Sequence, residues 1–280
     1  MSESTFNRRA FLGSSGAAAL AATTTASAST AEFRGASAAY EASAPSTKRR
    51  IYKSLKIGMV REPKMSLADK FKMVRDVGFD GIELNAPGND IDEVLKASEA
   101  AGLPVDGTVD SVHWDVRLSD PDPAVQKKAF EALLAGIKET KAIGGSTILL
   151  VPGKVTDPQK ENQQQVWDRS IEHIRRALPL CAELGIYIAI ENVWNAFNYI
   201  HDGPSDQTAD MMAKYIDVID SPWVAMQFDI GNHQKYGNPA QWIRTLGRRR
   251  IVTLDAKDWG GHEKKFTKIG EGDIDWPEVR

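Results

Sequence analysis

The chain has 280 residues, of which 42% are hydrophobic and 26% are charged, and this size and composition suit one large α/β domain. The formal net charge of −3, with no strongly basic block, gives no electrostatic footprint for nucleic acid, so we expect no nucleic-acid partner. The one cysteine, Cys181, cannot form an intramolecular disulfide and lies in a helical apolar pattern, so we expect it in the core.

The N-terminal segment has the order of features found in an export signal. Arg8 and Arg9 precede a mildly apolar stretch at 13–22, and the small residues Ala-Ser-Ala follow at 26–28. Paired arginines in that position are typical of the twin-arginine type. We therefore expect residues 1–28 to be a twin-arginine-type signal peptide, with a disordered tail and a chance arginine pair as the alternative.

The segment 29–50 is rich in Ala and Ser and is interpreted as a linker before a domain at 51–280. A cleaved signal predicts an exported, periplasmic protein. No stretch reaches the roughly 20 apolar residues that a bilayer-spanning helix needs, so we expect no membrane contact in the mature form.

From residue 55 onward, short apolar runs alternate with longer amphipathic ones, as expected of parallel strands joined by crossover helices. The predicted strands lie near 55–60, 81–84, 105–112, 146–151, 187–191, 224–228 and 251–254. The predicted helices lie near 66–77, 91–101, 123–143, 163–184, 207–219 and 239–246. This alternation predicts a (β/α) barrel, although the pattern supplies seven strands and not eight.

The residues after the seventh predicted strand leave no room for an eighth. The run Gly-Glu-Gly-Asp-Ile-Asp-Trp at 270–276 predicts a turn, and a helix begins near Pro277. We therefore expect a barrel that is truncated before its eighth strand. The strands at 55–60 and 251–254 should then each lack a hydrogen-bonded partner on one side.

Carboxylates follow three consecutive predicted strands. Glu191, Asp229 and Asp255 each stand at a strand end, where parallel barrels place their active sites. Neighbouring strands are about 4.8 Å apart, so these carboxylates should converge and repel one another unless a cation joins them. An all-oxygen site favours Mg²⁺ or Mn²⁺. The alternative is that each carboxylate separately caps a helix, pairs with a base or faces solvent.

Four motifs carry a resemblance to a known family. They are Gly-Phe-Asp-Gly-Ile-Glu-Leu at 78–84, Glu-Asn-Val-Trp-Asn at 191–195, Phe-Asp-Ile-Gly-Asn at 228–232 and the run at 270–276. Together they resemble the sugar phosphate isomerase/epimerase family with the xylose-isomerase-like TIM barrel. The second motif is similar to the hexulose-6-phosphate isomerase and xylulose-5-phosphate 3-epimerase branch. The resemblance implies a (β/α)8 TIM barrel of xylose-isomerase-like type.

The resemblance also implies one divalent metal ion, with Glu191 and Asp229 as ligands. Asp255 stands where the family usually has a His, and its oxygen would favour Mg²⁺ or Mn²⁺, with Co²⁺ or Zn²⁺ possible as alternatives. A fourth ligand, a Glu of the eighth strand, is missing. In this family the metal stabilises an enediolate, and Glu191 would act as the catalytic base as well as a ligand.

Five further residues are candidate substrate contacts: Glu83, His113, Trp114, Asn232 and Lys257. His113 has the alternative of a satisfied loop histidine. Lys257 would either stabilise an oxyanion or pair with Asp255. The tryptophans at 114, 194 and 259 would line the site with an apolar wall or simply pack.

These features predict a metal-dependent sugar or sugar phosphate isomerase/epimerase with a small-molecule sugar as its substrate. Export argues against a phosphorylated substrate, because sugar phosphates are chiefly intracellular. A base-excision endonuclease on the same barrel would need a basic groove and many metal-binding histidines, and this chain has five His in all. A non-catalytic carbohydrate-binding barrel remains the alternative. An oligomer is possible, since the sequence leaves the assembly state open.

Overall fold

The computed structural model describes residues 51–200 and 203–280. The expected signal peptide and linker fall on residues 1–50, which lie outside the described residues. Residues Ile51–Arg280 form one compact unit. Within the described ranges, no helix is both long enough and apolar enough to cross a bilayer.

Seven parallel strands form one sheet in the order of the chain, as predicted. They are β1 (Ser54–Lys56), β2 (Gly81–Ala86), β3 (Val105–Asp110), β4 (Thr147–Leu150), β5 (Tyr187–Glu191), β6 (Val224–Asp229) and β7 (Ile251–Asp255). Their helices are α1 (Leu67–Asp76), α2 (Ile91–Ala101), α3 (Pro123–Ala142), α4 (Gln163–Leu184), α5 (Asp210–Ile219), α6 (Ile230–Gln234), α7 (Pro239–Arg250) and α8 (Trp276–Val279).

The helix boundaries follow from local sequence chemistry. Asn162 begins α4 with a capping box, in which its side chain accepts from the Gln165 N–H and the Gln165 side chain accepts in return. Gly102 and Gly185 end α2 and α4 with φ angles of 60° and 70°. Only glycine adopts this left-handed conformation without a steric penalty, so the glycines fix where each helix stops.

The core lies between the middle strands and their helices. Every residue of β4 and of β6 is buried, which is the pattern of parallel strands covered on both faces. Cys181 is buried in this core, as predicted. The last strand differs, because β7 alternates between half-buried and exposed positions and leaves Val252 and Leu254 exposed.

The sheet is open between its first and last strands. In the described part of the chain, β1 pairs only with β2 and β7 pairs only with β6, as predicted. The first strand is shorter than predicted, because the chain turns into a 3₁₀ helix at Ile57–Met59, where the Val60 N–H donates to the Ile57 carbonyl at 3.0 Å. Its last residue, Lys56, points toward the functional site described below.

Two elements after β6 were not predicted. The first is the short helix α6, which Asp229 caps by accepting from the Asn232 N–H. The second is an antiparallel hairpin of β8 (Asp258–Gly260) and β9 (Lys265–Thr267). The hairpin follows β7 directly and therefore stands at the carboxyl ends of the strands.

Candidate metal centre and its surroundings

Three carboxylates meet at the carboxyl end of the sheet. Glu191 ends β5, Asp229 ends β6 and Asp255 ends β7, with Asp229 and Asp255 in register. One oxygen from each side chain lies within 4.8 Å of the others. Asp229 is fully buried and Glu191 is 9% exposed. The strand ends therefore bring together the three residues that the sequence placed in one site.

Burial and mutual repulsion make the charged state of this cluster costly. Burial raises the pKa of Glu191 to about 8, and the neighbouring carboxylates of Asp255 and Asp229 contribute to the rise. Burial also raises the pKa of Asp229, although the ammonium group of Lys257 opposes this effect. Carboxylates in this state are stabilised by any cation that joins them.

Lys257 supplies one such positive charge. Its ammonium group forms an ion pair with Asp229 and lies 4.0 Å from Glu191 Oε1. The sequence left open whether Lys257 stabilises an oxyanion or pairs with Asp255, and in the structure its ion-pair partner is Asp229, because the chain beyond β7 turns back over α6. Gly231 allows Lys257 to lie close to the backbone of α6, since a Cβ at position 231 would lie 3.1 Å from the Lys257 carbonyl oxygen and would collide with the Lys257 side chain.

A second lysine, Lys56, forms ion pairs with Asp255 and Glu83. The Lys56 Nζ lies 2.5 Å from Glu83 Oε2 and 3.3 Å from Asp255 Oδ2. Gln227 Nε2 donates to Asp255 Oδ1 at 2.8 Å and to Glu83 Oε1 at 3.3 Å. Burial raises the pKa of Glu83 to about 7 against the opposing charge of Lys56. Glu83 is thus tied into the carboxylate cluster and not isolated from it.

Sequence reasoning missed Lys56 and Gln227, although a signal for one was present. Gln227 lies two residues before Asp229 on the same strand, so the alternation of side chains places both on one face. Lys56 carried no comparable signal, because its contact with Asp255 joins β1 to β7, which are far apart in sequence. That contact depends on the curvature of the whole sheet.

The residues fit a divalent cation. Asp229 Oδ2 and Asp255 Oδ2 are buried and have no hydrogen bond in the described part of the structure, so each has only a lysine charge opposite it. Four carboxylates share two lysines here, which leaves two negative charges when all are ionised. An oxygen-only set of this charge suits a hard cation such as Mg²⁺ or Mn²⁺.

His113 lies beside the cluster in a neutral form. Its Nδ1 accepts a hydrogen bond from the Val151 N–H at 3.5 Å, which assigns the ring proton to Nε2. Burial, together with the charge of Lys56, lowers the pKa of His113 to about 4. The buried Nε2 has no partner among the described residues. His113 therefore retains an N–H that a ligand oxygen can satisfy.

An aromatic wall stands over Lys257. Trp194 stacks on Phe266 with ring centres 5.2 Å apart, and Trp259 meets Trp194 edge-on at 4.9 Å. The Lys257 Nζ lies 5.6 Å from the centre of the Phe266 ring. Trp114, the third tryptophan considered for this wall, is exposed, and its ring packs edge-on against His113. Phe266 was missed because the hairpin that carries it was not predicted.

Asn232 lies beneath the cluster. Its backbone N–H donates to Asp229 Oδ1 at 2.8 Å, and its side-chain amide donates to the Asn192 carbonyl at 2.9 Å. Both of these donors are therefore used to support the strand ends. A direct contact of Asn232 with substrate stays a prediction.

Asp258 anchors the hairpin and the segment that follows it. Its carboxylate accepts from the Gly270 N–H at 2.7 Å, from the Trp259 N–H at 2.9 Å and from Trp276 Nε1 at 2.9 Å. Burial alone would raise the pKa of Asp258, but these hydrogen bonds outweigh it and hold the pKa below its usual value. This explains why Gly270 and Trp276 belong to one motif in the sequence.

Comparison with known protein families identifies the fold class. The family model described as the xylose isomerase-like TIM barrel matches residues 71–280. The chain therefore belongs to the xylose isomerase-like TIM barrel family, and its seven parallel strands form an open barrel of that type.

Relatives and solved structures agree with this assignment. An uncharacterized protein of Methanocaldococcus jannaschii is 26% identical over 58% of this chain and 56% of its own length, so the match spans little more than half of that relative. A putative L-ribulose-5-phosphate 3-epimerase of Escherichia coli is 22% identical over 76% of this chain and 77% of its own. A crystal structure of a D-tagatose 3-epimerase-like protein has a TM-score of 0.66 at 20% identity, covering 81% and 84% of the two chains.

Proposed function

We propose that this protein is a metal-dependent sugar isomerase, acting as a ketose epimerase or an aldose–ketose isomerase. The observation that carries the proposal is the convergence of Glu191, Asp229 and Asp255 within 4.8 Å at three consecutive strand ends. In this barrel class such positions hold active sites. The names of the relatives support the epimerase and isomerase class, since both a sequence relative and a structural neighbour are described as ketose 3-epimerases or as similar to one.

Glu191, Asp229 and Asp255 would hold one divalent cation, with Mg²⁺ or Mn²⁺ favoured over Co²⁺ or Zn²⁺. When bound, the cation would act as a Lewis acid toward the carbonyl oxygen of a ketose. Lys257 must then leave Asp229, because its ammonium group occupies the same oxygen. Released in this way, Lys257 can place its charge near an oxyanion of the substrate.

Glu191 would act as the base. Its carboxylate takes a proton from the carbon next to the carbonyl, the C–H electron pair forms the carbon–carbon double bond, and the carbonyl π pair moves to oxygen to give an enediolate. When the proton is taken from C3 of a 2-ketose, return of a proton from water to the opposite face of C3 gives the C3 epimer. When it is taken from C1, return of a proton to C2, with loss of the C1 hydroxyl proton, gives the aldose.

The surroundings of the cluster would orient the sugar. The free N–H of His113 and the carboxylate of Glu83 can bond to sugar hydroxyls, and the exposed face of Phe266 can pack on the apolar face of the ring. We propose an unphosphorylated or oxidised sugar, because the N-terminal sequence favours export through a twin-arginine route. Mass spectrometry of the extracytoplasmic protein should find an N-terminus near Ala28. An intact Met1 form confined to the cytosol would contradict export.

A non-catalytic carbohydrate-binding barrel is the second candidate. It is favoured by the two lysines, which already neutralise part of the cluster and would allow it to persist without a cation. In that case sugar binding should not depend on a divalent ion.

The test is proton exchange on a panel of ketoses. D-Tagatose, D-fructose, L-ribulose and L-ribulose 5-phosphate are incubated in D₂O with the full chain and Mn²⁺, then freed of the metal and examined by NMR. We expect deuterium at the carbon next to the carbonyl, together with an epimer or an aldose, and loss of both with chelator or in Glu191→Gln. Sugar binding that persists without metal, with no exchange, would favour the binding protein.

A further inference from the structure

A buried amide joins the two strands that carry Glu191 and Asp229. Asn192 follows Glu191 directly and is 1% exposed. Its Oδ1 accepts from the Asp229 N–H at 2.8 Å, and its Nδ2 donates to the Asp229 carbonyl at 2.9 Å. The backbone pairing of β5 with β6 ends at Glu191 and Gln227. The Asn192 side chain therefore extends this pairing to the level of Asp229.

The same region fixes which oxygen of Asp229 faces the cluster. Asp229 Oδ1 accepts from the Asn232 N–H at 2.8 Å as the cap of α6. The Asn232 side chain in turn donates to the Asn192 carbonyl at 2.9 Å. Since Oδ1 is held by the helix, Oδ2 remains for the carboxylate cluster. The position of Asp229 thus depends on where Asn192 and α6 hold its backbone.

Tyr199 and His233 determine the orientation of the Asn192 amide. Asn192 Nδ2 donates to the Tyr199 hydroxyl at 3.1 Å, and that hydroxyl lies 2.9 Å from His233 Nδ1. Because the Tyr199 oxygen accepts from Asn192, its own proton is free to bond to His233. A reversed amide would place Asn192 Oδ1 against the Tyr199 oxygen, whose proton is directed to His233, so that two acceptors would oppose each other. It would also turn Nδ2 toward the Asp229 N–H, so that two donors would oppose each other. The Tyr199 hydroxyl therefore favours the one orientation that pairs with Asp229.

Tyr199 and His233 pack among other aromatic side chains. Both side chains are buried, and the His233 ring lies 3.8 Å from the centre of Trp242. Tyr199 also stacks on Tyr236 at 4.6 Å. None of these aromatic side chains is a candidate ligand, so their influence on the cluster must pass through Asn192.

We propose that Tyr199 and His233 are positioning residues that hold the Asn192 amide so that Asp229 Oδ2 is aimed at the metal centre beside Glu191. The consequence for metal affinity rests on the proposed function, whereas the consequence for geometry does not. Groups that orient metal ligands in this way typically change metal affinity by about 10- to 100-fold.

The test compares two tyrosines that lose the same atom. Tyr199→Phe removes the hydroxyl that holds Asn192. Tyr215→Phe is the matched control, since Tyr215 is also fully buried and its hydroxyl bonds to Ser170 Oγ at 2.9 Å. Mn²⁺ affinity of the metal-free full chain is measured by calorimetry, and stability by urea unfolding without metal.

We expect both variants to lose similar stability and only Tyr199→Phe to bind Mn²⁺ more weakly, by about tenfold. Equal Mn²⁺ affinity in Tyr199→Phe and the wild type would overturn the inference. If Tyr199→Phe does not fold, His233→Phe replaces it, because this variant keeps an aromatic ring and removes the acceptor of the Tyr199 proton. The same weakening of Mn²⁺ binding is expected, and an unchanged affinity would again overturn the inference.

A wild-type chain that binds no Mn²⁺ would contradict the proposed function. Whether Tyr199 and His233 position Asn192 and Asp229 would then be decided by crystal structures of the metal-free proteins. In Tyr199→Phe the Asn192 amide should rotate and Asp229 should move relative to Glu191. Unchanged positions of Asn192 and Asp229 would overturn the inference in that case.

Discussion

Replacement of Lys257 by Met should have opposite effects on stability and on metal binding. In the metal-free protein the Lys257 ammonium group neutralises Asp229 and lies near Glu191. The same group must leave Asp229 before a cation can bind there. Removal of this charge should therefore destabilise the metal-free chain and strengthen the binding of Mn²⁺.

The size of each effect follows from burial. Breaking a buried ion pair from one side costs about 3–5 kcal/mol, but Lys257 is 39% exposed and solvent screens its charge. We therefore expect the metal-free Lys257→Met chain to lose about 1–3 kcal/mol. A cation that no longer displaces an ammonium group should bind roughly tenfold more tightly, which corresponds to about 1.4 kcal/mol.

Urea unfolding with and without Mn²⁺ measures the first effect, and calorimetric titration measures the second. At Mn²⁺ near 100 times the dissociation constant, the ion should add about 2.7 kcal/mol of stability. Lys235→Met is the control, because it also removes one positive charge. The Lys235 Nζ lies 4.8 Å from the Trp194 ring centre and, in the described part of the structure, forms no ion pair with the carboxylate cluster. Weaker Mn²⁺ binding in Lys257→Met, or no change in either quantity, would refute this reasoning.

Three further predictions concern the base, the hairpin anchor and the aromatic wall. Glu191→Gln should lower turnover by about 10²- to 10⁴-fold while urea unfolding shows a folded chain; turnover at the wild-type level would exclude Glu191 as the base. Asp258→Asn should cost about 2–3 kcal/mol through its lost charged hydrogen bonds. Because those bonds hold the folded-state pKa of Asp258 below its unfolded value, the stabilisation is present above about pH 4 and is lost as the pH falls further; equal acid sensitivity of the two chains would argue against this. Phe266→Ala should raise KM for the sugar more than kcat falls, whereas Phe266→Tyr should keep KM near the wild-type value, and identical KM in both would remove Phe266 from the substrate site.

The sequence carried enough information to predict the sheet and the convergence of the three carboxylates. Alternating apolar and amphipathic runs indicate the strands and helices of a barrel, and the carboxyl ends of all parallel barrel strands lie at the same face. For that reason Glu191, Asp229 and Asp255 could be brought together without coordinates. The partner of each carboxylate could not be predicted in the same way.

The missed features depend on tertiary geometry or on weak local signals. Lys56 reaches Asp255 across the open side of the sheet, a contact that no local pattern encodes. The β8–β9 hairpin has strands of only three residues each, too short for a periodic pattern. Tyr199 follows β5 in an irregular segment, and its role emerges only from its bond to Asn192.

The most direct test of the account is the stoichiometry of Mn²⁺ binding to the metal-free full chain. The account predicts one Mn²⁺ per chain and binding at least tenfold weaker in Asp229→Asn, because Asp229 Oδ2 lies in the cluster opposite the Lys257 ammonium group, which a cation would replace. Asn238→Ala, at the cap of α7, should bind like the wild type. No binding by the wild-type chain, or binding that is unchanged in Asp229→Asn, would contradict the account.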